Sequence, residues 1–400
     1  MKSMRWLLIV LAVLVAPATG WALNEWTVLL YIVNDDKDTT MENANMRSIQ
    51  AMTRSGPPAG CEIVVIDDLA PKAGSPFGGI FGGNKESGAS IYTVQKGSVN
   101  VEDKLGEVNM GSPYVLWSFL KKAAERHPAR NYALIINSHG SGIFSWRGTG
   151  GTSSMKPGAV DFDPDSRFVA YDHTDNDCLT VFEIVAVLDA FKTRLNRNRP
   201  LSVLAFDACL PGSIEAVYQF RNSCEVMVGA ADTTGINGYP YARIMSAVDA
   251  ERPANAAGFA KAMVSGAGMR DMGYWNVARG AELTFAFNAF VLELMNASAD
   301  GYRFDPSEAY GGKNYCWDIE ASLGSMGGLS GVKNGALVRK TAEEALAAVT
   351  ACRTVSSGAG ISVAMPTPDD YRRFRSFYKA LDFARDTQWD EYLDKVYDVR

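Results

Sequence analysis

The sequence predicts an α/β protein with a mostly parallel sheet, helices on both faces of that sheet and a mainly helical C-terminal subdomain. Two observations predict the sheet: short β-branched and aromatic runs alternate with helical segments through residues 25–252, and several of these runs are apolar throughout, as in buried strands. From Pro253 onward the pattern is mainly helical, with one late strand-like run at 360–365. We therefore divide the chain into an α/β domain at 25–252 and a helical subdomain at 253–400.

Strands are expected wherever a run rich in Val, Ile, Leu or aromatic residues is closed by polar or turn residues. They lie at Trp26–Val33, Cys61–Ile66, Ile91–Val94, Tyr132–Ile136, Leu201–Phe206 and Val226–Ala230. One helix is expected to end near Met52, a second to start at Ser112-Pro113, and a third to run from the capping box Thr180-Val-Phe-Glu183 to about Phe191. The Gly-rich segment 74–90 lacks the spacing of a phosphate loop, so it predicts a flexible insertion.

The first 22 residues differ from the rest of the chain and predict a secretory signal peptide. Lys2 and Arg5 give a positive start, residues 6–15 are continuously apolar, and small residues follow as far as Ala22. The apolar run is shorter than the roughly 20 residues that span a bilayer, which disfavours the alternative of a permanent anchor. We expect a periplasmic or secreted protein with no stable membrane span after removal of residues 1–22.

Composition and charge exclude some functions. The formal net charge is -6 and no dense Lys/Arg run occurs, which argues against binding to nucleic acid. None of the six cysteines forms a C-x-x-C pair, which disfavours a zinc knuckle or a thioredoxin-type redox motif. Export would place these cysteines where disulfides persist. If one thiol stays free for chemistry, the other five form at most two bridges.

Two predicted strands run into reactive residues. One continues into Asn137-Ser138-His139-Gly140 and the other into Asp207-Ala208-Cys209-Leu210. Because ligands bind outside the carboxyl ends of parallel strands, both segments are expected at one edge of the sheet. A cysteine nucleophile and a histidine that protonates a departing amine suffice for acyl transfer. The backbone N–H groups of Gly140 and Cys209 are candidates for stabilising the oxyanion that develops.

Structural roles compete with this interpretation. A single cysteine at the end of an apolar strand usually fills a core, and a single histidine before glycine is usually a turn residue. The spacing alone therefore does not distinguish a Cys/His enzyme from two structural residues.

The two segments resemble the histidine and cysteine motifs of the clostripain family of cysteine peptidases, relatives of the caspases, gingipains and legumains. The similarity extends over nearly the whole chain after residue 22, through Trp26-Thr-Val-Leu29, Gly238-Tyr-Pro-Tyr241, Gly360-Ile-Ser-Val363 with Pro366, and Trp389-Asp-Glu-Tyr-Leu393. The resemblance implies a caspase-like α/β/α sandwich for the peptidase domain at 25–252. It also implies a histidine–cysteine dyad that needs no organic cofactor.

The resemblance also implies roles for single residues. Cys209 would be the nucleophile and His139 the general acid. Asp207 matches the acidic residue of the family's primary specificity pocket, which implies cleavage after arginine or lysine in a peptide or protein substrate. Pro211 stands where the family usually has methionine. Asp232 lies where many relatives carry glutamates, and we take it as a second candidate for substrate binding.

A candidate calcium site lies between the two motifs. Three of its carboxylates alternate along the chain, at Asp161, Asp163 and Asp165, and Asp172 lies at the twelfth position counted from Asp161. Such spacing suits Ca²⁺, but Ser166 replaces the glycine expected at the sixth position and the last ligand is not glutamate. The alternative is a solvated acidic loop.

The same polar segment, 141–171, predicts an exposed loop in which the protein is cut. Clostripain relatives mature by cleavage between the histidine and cysteine motifs, which implies self-processing after Arg147, Lys156 or Arg167. Lys156 is the least favoured of the three because Pro157 follows it.

Two other functions remain open at this point. A thiol acyl hydrolase or transpeptidase of different specificity would use the same dyad. A catalytically silent binding protein would keep the same fold without the reaction.

Overall fold

The structure is a computed structural model, and it describes most of the chain. The described residues are 23–34, 39–69, 88–140, 142–143, 168–235, 237–270, 272–299, 301–304, 309–310, 316–355 and 360–399. The predicted signal peptide lies outside them. In this described part of the chain, no helix is both long and apolar enough to cross a membrane.

The strands are numbered β1 to β14 in chain order. They are β1 Asn24–Asn34, β2 Cys61–Leu69, β3 Gly88–Gln95, β4 Ser98–Gly106, β5 Ala129–Asn137, β6 Val169–Asp172, β7 Asp177–Leu179, β8 Leu201–Asp207, β9 Cys224–Ala230, β10 Met272–Asn276, β11 Ala309–Tyr310, β12 Cys316–Asp318, β13 Arg353–Val355 and β14 Ser362–Ala364. A nine-stranded sheet has the order β13-β10-β9-β8-β5-β1-β2-β3-β4, and small sheets are formed by β11-β12-β14 and by β6-β7.

The centre of the large sheet is parallel and its edges are antiparallel. Strands β9, β8, β5, β1 and β2 run in one direction. Hairpin partners β3 and β4 close one edge, and β10 and β13 close the other, all by antiparallel pairing. The prediction of a mostly parallel sheet is therefore confirmed.

The helices are numbered α1 to α12. They are α1 Thr39–Ser55, α2 Pro113–Arg126, α3 Val181–Arg194, α4 Ile214–Gln219, α5 Tyr241–Glu251, α6 Ala256–Ala267, α7 Gly280–Ala299, α8 Ile319–Gly324, α9 Gly335–Cys352, α10 Pro368–Ala380, α11 Asp382–Asp386 and α12 Trp389–Val396. Two predicted starts are confirmed: Ser112 caps α2 by accepting from the N–H of Tyr114, and Thr180 and Glu183 form both bonds of the capping box of α3.

Two hydrophobic cores, one on each face of the sheet, produce the three layers. Helices α1, α5 and α6 cover one face, and the other helices cover the opposite face. In β1, the odd-numbered residues from Leu29 to Val33 belong to one core and the even-numbered residues from Val28 to Ile32 to the other. This two-sided burial explains why the central strands are continuously apolar.

The structure differs from the sequence predictions at the sheet edges. Strands β4, β10 and β13 and the β6–β7 hairpin were not predicted, because they are short or contain polar residues and glycine. The late strand at 360–365 is found as β14, but it belongs to the small sheet. Residues 88–90 of the predicted Gly-rich insertion form the start of β3, whereas 70–87 lie outside the described residues.

The C-terminal part is mainly helical, as predicted, and it also contacts the turn that follows Cys209. Its strands β10 and β13 join the large sheet beside β9. The N–H of Ser362 donates to the carbonyl of Gly212 at 2.9 Å, and the N–H of Ala364 donates to the buried Glu215 of α4 at 2.8 Å. The C-terminal residues thus support the segment that carries the candidate nucleophile.

Candidate active site

The register of two neighbouring parallel strands brings the two reactive segments together. In the β5–β8 pair, Asn137 lies opposite Asp207. His139 and Cys209 each follow two residues later, at the carboxyl edge of the sheet. Since neighbouring strands are about 4.8 Å apart, equal offsets leave the two segments side by side. The N–H of Ser138 extends the contact by donating to the carbonyl of Asp207 at 3.3 Å.

Gly140 is needed for this close approach. A Cβ atom at this position would lie 2.7 Å from the carbonyl oxygen of Cys209 and 2.8 Å from the Cβ of Ala208. Contacts under 3.0 Å are essentially never made by real Cβ atoms, so any other residue would push the histidine segment away from Cys209. The backbone of Gly140 therefore lies directly against the candidate nucleophile, where the sequence analysis placed one oxyanion donor.

A tight turn follows Cys209. Leu210 has a φ of 63°, in the left-handed region that residues other than glycine rarely adopt. Its N–H donates to the carbonyl of Asp232 at 3.2 Å, and the N–H of Gly212 donates to the carbonyl of Ala230 at 2.9 Å. Pro211 precedes Ser213, the N-cap of α4, so its missing N–H removes no bond of that helix.

The β6–β7 hairpin positions the histidine segment. Gly140 forms a bridge with Val169 of β6, and the hydroxyl of Ser138 accepts from the N–H of Tyr171 at 3.1 Å. The exposed ring of His139 lies edge-on to His173, with 6.5 Å between the ring centroids. The loop predicted at 141–171 therefore ends earlier than expected, because its last residues belong to β6.

The carboxylate of Asp207 is buried beneath this edge. Its Oδ2 accepts from Asn137 Nδ2 at 2.7 Å, the Tyr241 hydroxyl at 2.8 Å and the Tyr239 N–H at 2.9 Å. Burial raises the pKa of Asp207, and these three donors oppose the rise. Among the described residues, Oδ1 has no hydrogen-bond partner. Gly238 covers the carboxylate, since a Cβ there would lie 2.9 Å from Oδ2.

A chain of buried amides links Asp207 to the far side of the parallel strands. Asn45 Nδ2 donates to Asn137 Oδ1 at 2.6 Å and to Asn34 Oδ1 at 2.7 Å, and Asn34 Nδ2 donates to Asp67 Oδ1 at 2.6 Å. Each of the five residues is at most 2% exposed. We call this set, Asp207–Asn137–Asn45–Asn34–Asp67, the amide chain. Because Asp207 Oδ2 and Asp67 Oδ1 each accept from an amide N–H, the two ends fix the orientation of every amide.

The sequence predicts little of the amide chain. Asn34 and Asp67 directly follow the predicted strands Trp26–Val33 and Cys61–Ile66, and the sequence marks them only as polar residues that close these runs. Asn45 was not singled out, because nothing local marks a helical asparagine whose partner Asn137 lies 92 positions away. A polar residue at the end of each parallel strand was the signal that would have identified the other members.

The second predicted substrate-binding residue, Asp232, lies beside the turn after Cys209. Its side chain is half-buried, and its Oδ1 accepts from the N–H of Thr233 at 2.7 Å. Its backbone carbonyl is the acceptor for Leu210 described above. The structure therefore brings Asp232, Asp207, Cys209 and His139 to the same edge of the sheet.

The calcium prediction stays a prediction. Asp161, Asp163 and Asp165 lie outside the described residues, as do the three predicted cleavage residues Arg147, Lys156 and Arg167. The fourth calcium candidate, Asp172, is buried and accepts from the N–H groups of Met110 and Asp175 at 2.8 and 2.9 Å. Carboxylate oxygens of Asp68, Glu107 and Asp172 lie within 4.8 Å of one another, a grouping that the sequence did not predict.

The other thiols differ from Cys209 in their surroundings. All six cysteines are free. Burial raises the pKa of Cys61 to about 11 and of Cys316 and Cys352 to about 12, and it raises that of Cys224 further. These four remain protonated near neutral pH and are poor nucleophiles. Cys209 is half-buried at the carboxyl edge of the sheet.

Comparison with known proteins gives a family and a fold. The profile of the clostripain family matches residues 30–270. Clostripain of Hathewaya histolytica is 23% identical over 250 residues, which are 57% of this chain and 43% of clostripain. The match thus spans less than half of the length of that relative.

Two solved structures resemble this chain over about nine-tenths of its length. An inactive zymogen of a C11 protease from Parabacteroides distasonis has a TM-score of 0.60 at 14% identity, covering 91% of this chain and 98% of its own. A secreted C11 cysteine protease from Bacteroides thetaiotaomicron, in complex with an irreversible peptide inhibitor, has a TM-score of 0.57 at 17% identity, covering 90% and 99%. These likenesses confirm the predicted caspase-like fold.

The amide chain predicts a pH dependence of stability. Burial raises the pKa of Asp67 from 3.8 to about 7; the hydrogen bond from Asn34 opposes the rise, and nearby Glu42 adds to it. Between these pH values the folded state holds a proton that the unfolded state has lost, so Asp67 destabilises the fold as pH rises from about 4 to about 7. Its share of the free energy of unfolding falls by up to about 1.4 kcal/mol per pH unit in this window.

We therefore expect Asp67→Asn to flatten the pH profile. Urea unfolding of both proteins from pH 4.5 to 8 gives the free energy of unfolding of each at every pH. The value for the variant minus that for the wild type should rise with pH up to about pH 7 and then stay constant. Asp369→Asn, at a side chain that is 96% exposed, is the control and should change the slope little. A wild-type minus Asp67→Asn difference that is independent of pH would contradict the prediction.

Proposed function

The chain belongs to the clostripain family, and we propose that it is a cysteine endopeptidase that hydrolyses peptide bonds through Cys209 and His139. The observation that carries this proposal is the pairing of Asn137 with Asp207 in β5 and β8, which leaves His139 and Cys209 at equivalent offsets on neighbouring strands. A half-buried cysteine beside an exposed histidine at this edge suits a reaction on an extended peptide.

The reaction has two covalent steps. The Cys209 thiolate attacks the peptide carbonyl carbon, and the backbone N–H groups of Gly140 and Cys209 stabilise the oxyanion. The C–N bond then breaks, the amine leaves with a proton from His139, and a thioester remains. Water then gives a proton to His139 and its oxygen to the acyl carbon, the C–S bond breaks, and the thiolate and the protonated His139 are regenerated with release of the carboxylic acid. The contact of Gly140 with Cys209 supports this assignment, since it keeps both backbones within reach of one oxygen.

Cleavage after arginine or lysine is proposed from Asp207. The carboxylate belongs to the last residue of β8, two residues before the nucleophile; its Oδ2 is held by three donors, and its Oδ1 has no partner among the described residues. A guanidinium or ammonium group would supply the missing partner and favour the ionised carboxylate. Asp232 is the proposed second carboxylate at the rim of this pocket.

The first test is loss of hydrolysis. Cys209→Ala should lower peptide turnover by about 10⁴-fold or more while the thermal unfolding curve is unchanged, because alanine removes only the sulfur. His139→Ala should also be severely impaired, since the leaving amine loses its proton donor. Matched fluorogenic peptides with Arg, Lys, Asn or Asp before the cut provide the assay.

Cys61→Ala is the control for this test, since this half-buried cysteine begins β2 at the opposite end of the parallel strands. It should keep wild-type turnover. Hydrolysis that survives in pure Cys209→Ala would overturn the mechanism. If the wild type cleaves no peptide and a basic chloromethyl ketone fails to label Cys209, a silent binding protein is the better interpretation.

The second test concerns specificity. Breaking a buried ion pair costs about 3–5 kcal/mol, so Asp207→Asn should lower kcat/KM for Arg and Lys peptides by about 100-fold or more. Alkylation of Cys209 by iodoacetamide, a small neutral reagent, should change little. If kcat/KM for basic peptides and the alkylation rate of Cys209 fell equally, Asp207 would be a structural residue. An unchanged kcat/KM would show that Asp207 is not part of the specificity pocket.

We propose further that the chain is exported and then cuts itself. Export is supported by the positive start and apolar run before Ala22, and self-cutting by three basic residues in the polar segment between the two motifs. The fragments should stay associated, since β5 and β8 belong to one sheet.

Sequencing of the N-termini of the exported protein tests this proposal. One chain should begin after Ala22 and the other after Arg147, Lys156 or Arg167, whereas Cys209→Ala should give a single chain. Fully active wild-type protein that remains one chain would exclude self-processing.

A further inference from the structure

The segment after β9 is fixed against the turn that carries the nucleophile. Two backbone hydrogen bonds join them, from Leu210 to Asp232 and from Gly212 to Ala230. They hold the next residues of the segment, Thr233 and Thr234, over the end of β8.

Thr234 touches the sulfur of Cys209 with three of its polar atoms. Its backbone N–H donates to Sγ at 3.3 Å, its hydroxyl oxygen Oγ1 lies 3.6 Å from Sγ, and its carbonyl oxygen also lies 3.6 Å from Sγ. Thr234 is half-buried and Thr233 is exposed. Sulfur hydrogen bonds extend to these lengths, so Thr234 is bonded to the reacting atom itself.

These contacts differ between the two forms of the sulfur. A protonated thiol is a weak donor, and it donates to the carbonyl or to the hydroxyl oxygen of Thr234. A thiolate only accepts, so the backbone N–H and the hydroxyl both donate to it, after the hydroxyl has rotated. Two donors directed at the charged form favour that form.

The charges around Cys209 show why such donors matter. Cys316, from β12, shares a small apolar cluster with Cys209, and its own pKa is raised to about 12 by burial, with the charges of Glu215 and Asp232 contributing. Asp232 also lies on the segment that contacts the sulfur. Cys209 therefore has an uncharged thiol beside it on the β12 side and an acidic residue on the β9 side, and His139, on the β5 side, faces solvent.

We propose that Thr234 is a catalytic residue that holds Cys209 as a thiolate through its backbone N–H and its side-chain hydroxyl. This assignment rests on the proposed nucleophile, Cys209, but it makes no use of the substrate preference. Because the backbone N–H remains in any substitution other than proline, the separable contribution is that of the hydroxyl.

The pH dependence of alkylation tests this proposal. Thr234→Val keeps the size and the β-branch of threonine and removes only the hydroxyl. Alkylation of Cys209 by iodoacetamide, followed by mass spectrometry of the Cys209 peptide, gives the rate at each pH from 5 to 9. Because the variant has lost one donor to the charged form of the sulfur, the midpoint of the Thr234→Val curve should move up by about one pH unit. The rate below the midpoint should then fall about 10-fold.

Two matched variants complete the experiment. Thr234→Ser keeps the hydroxyl and should retain the wild-type curve. Thr233→Val makes the same change at the neighbouring exposed threonine and should also leave the curve unchanged. Thermal unfolding of each variant checks that the fold is intact, and Cys209→Ala gives the background from the other thiols.

Two results would overturn the proposal: a Thr234→Val curve that superimposes on that of the wild type, or an equal shift in Thr233→Val. The outcome is independent of peptide hydrolysis. If Thr234→Val shifts the curve but the wild type cleaves no peptide, the role of Thr234 stands and the proposed peptidase function fails. If the wild type cleaves peptides and the curve does not shift, only the role of Thr234 fails.

Discussion

The in-register pairing of β5 with β8 fixes the geometry on which the rest of the candidate site depends. Side chains alternate between the faces of a sheet, so a slip of one residue would move His139 or Cys209 to the wrong side of its strand. The hydrogen bond between Asn137 and Asp207 holds this register at the last paired position of both strands. The contact of Gly140 with Cys209 then fixes the two loops where the strands no longer pair.

The amide chain extends the same constraint across the parallel strands. Burying polar groups is unfavourable unless they are hydrogen-bonded, so such a chain is tolerated only when its members satisfy one another. Asn45 supplies the link, because its two N–H bonds reach amides at the ends of β1 and β5. These strands can therefore end in polar residues although their ends are buried. Since Asn45 belongs to α1 and bonds Asn137, which in turn bonds Asp207, the orientation of Asp207 depends on α1 as well as on β8.

The fold was more predictable than the site. Apolar runs buried on two faces identified the parallel strands, and a capping box identified α3, because both signals are local in sequence. Strands β10 and β13 carry weak local signals and owe their pairing to the edge beside β9. Strand ends and the family resemblance indicated Cys209, His139 and Asp207. Asn45 and Thr234 act through partners distant in sequence, so no local pattern marked them.

The proposed reaction needs two negative groups at one edge of the sheet, the Asp207 carboxylate and the Cys209 thiolate. Burial opposes the ionised form of Asp207, as its raised pKa shows. Three hydrogen-bond donors meet at Asp207 Oδ2 and oppose this rise, and in the proposal for Thr234 two donors meet in the same way at Cys209 Sγ. A cationic substrate side chain would add positive charge beside both groups. In the proposed peptidase, binding of a basic residue and formation of the thiolate would therefore favour each other, because each lowers the electrostatic cost of the other.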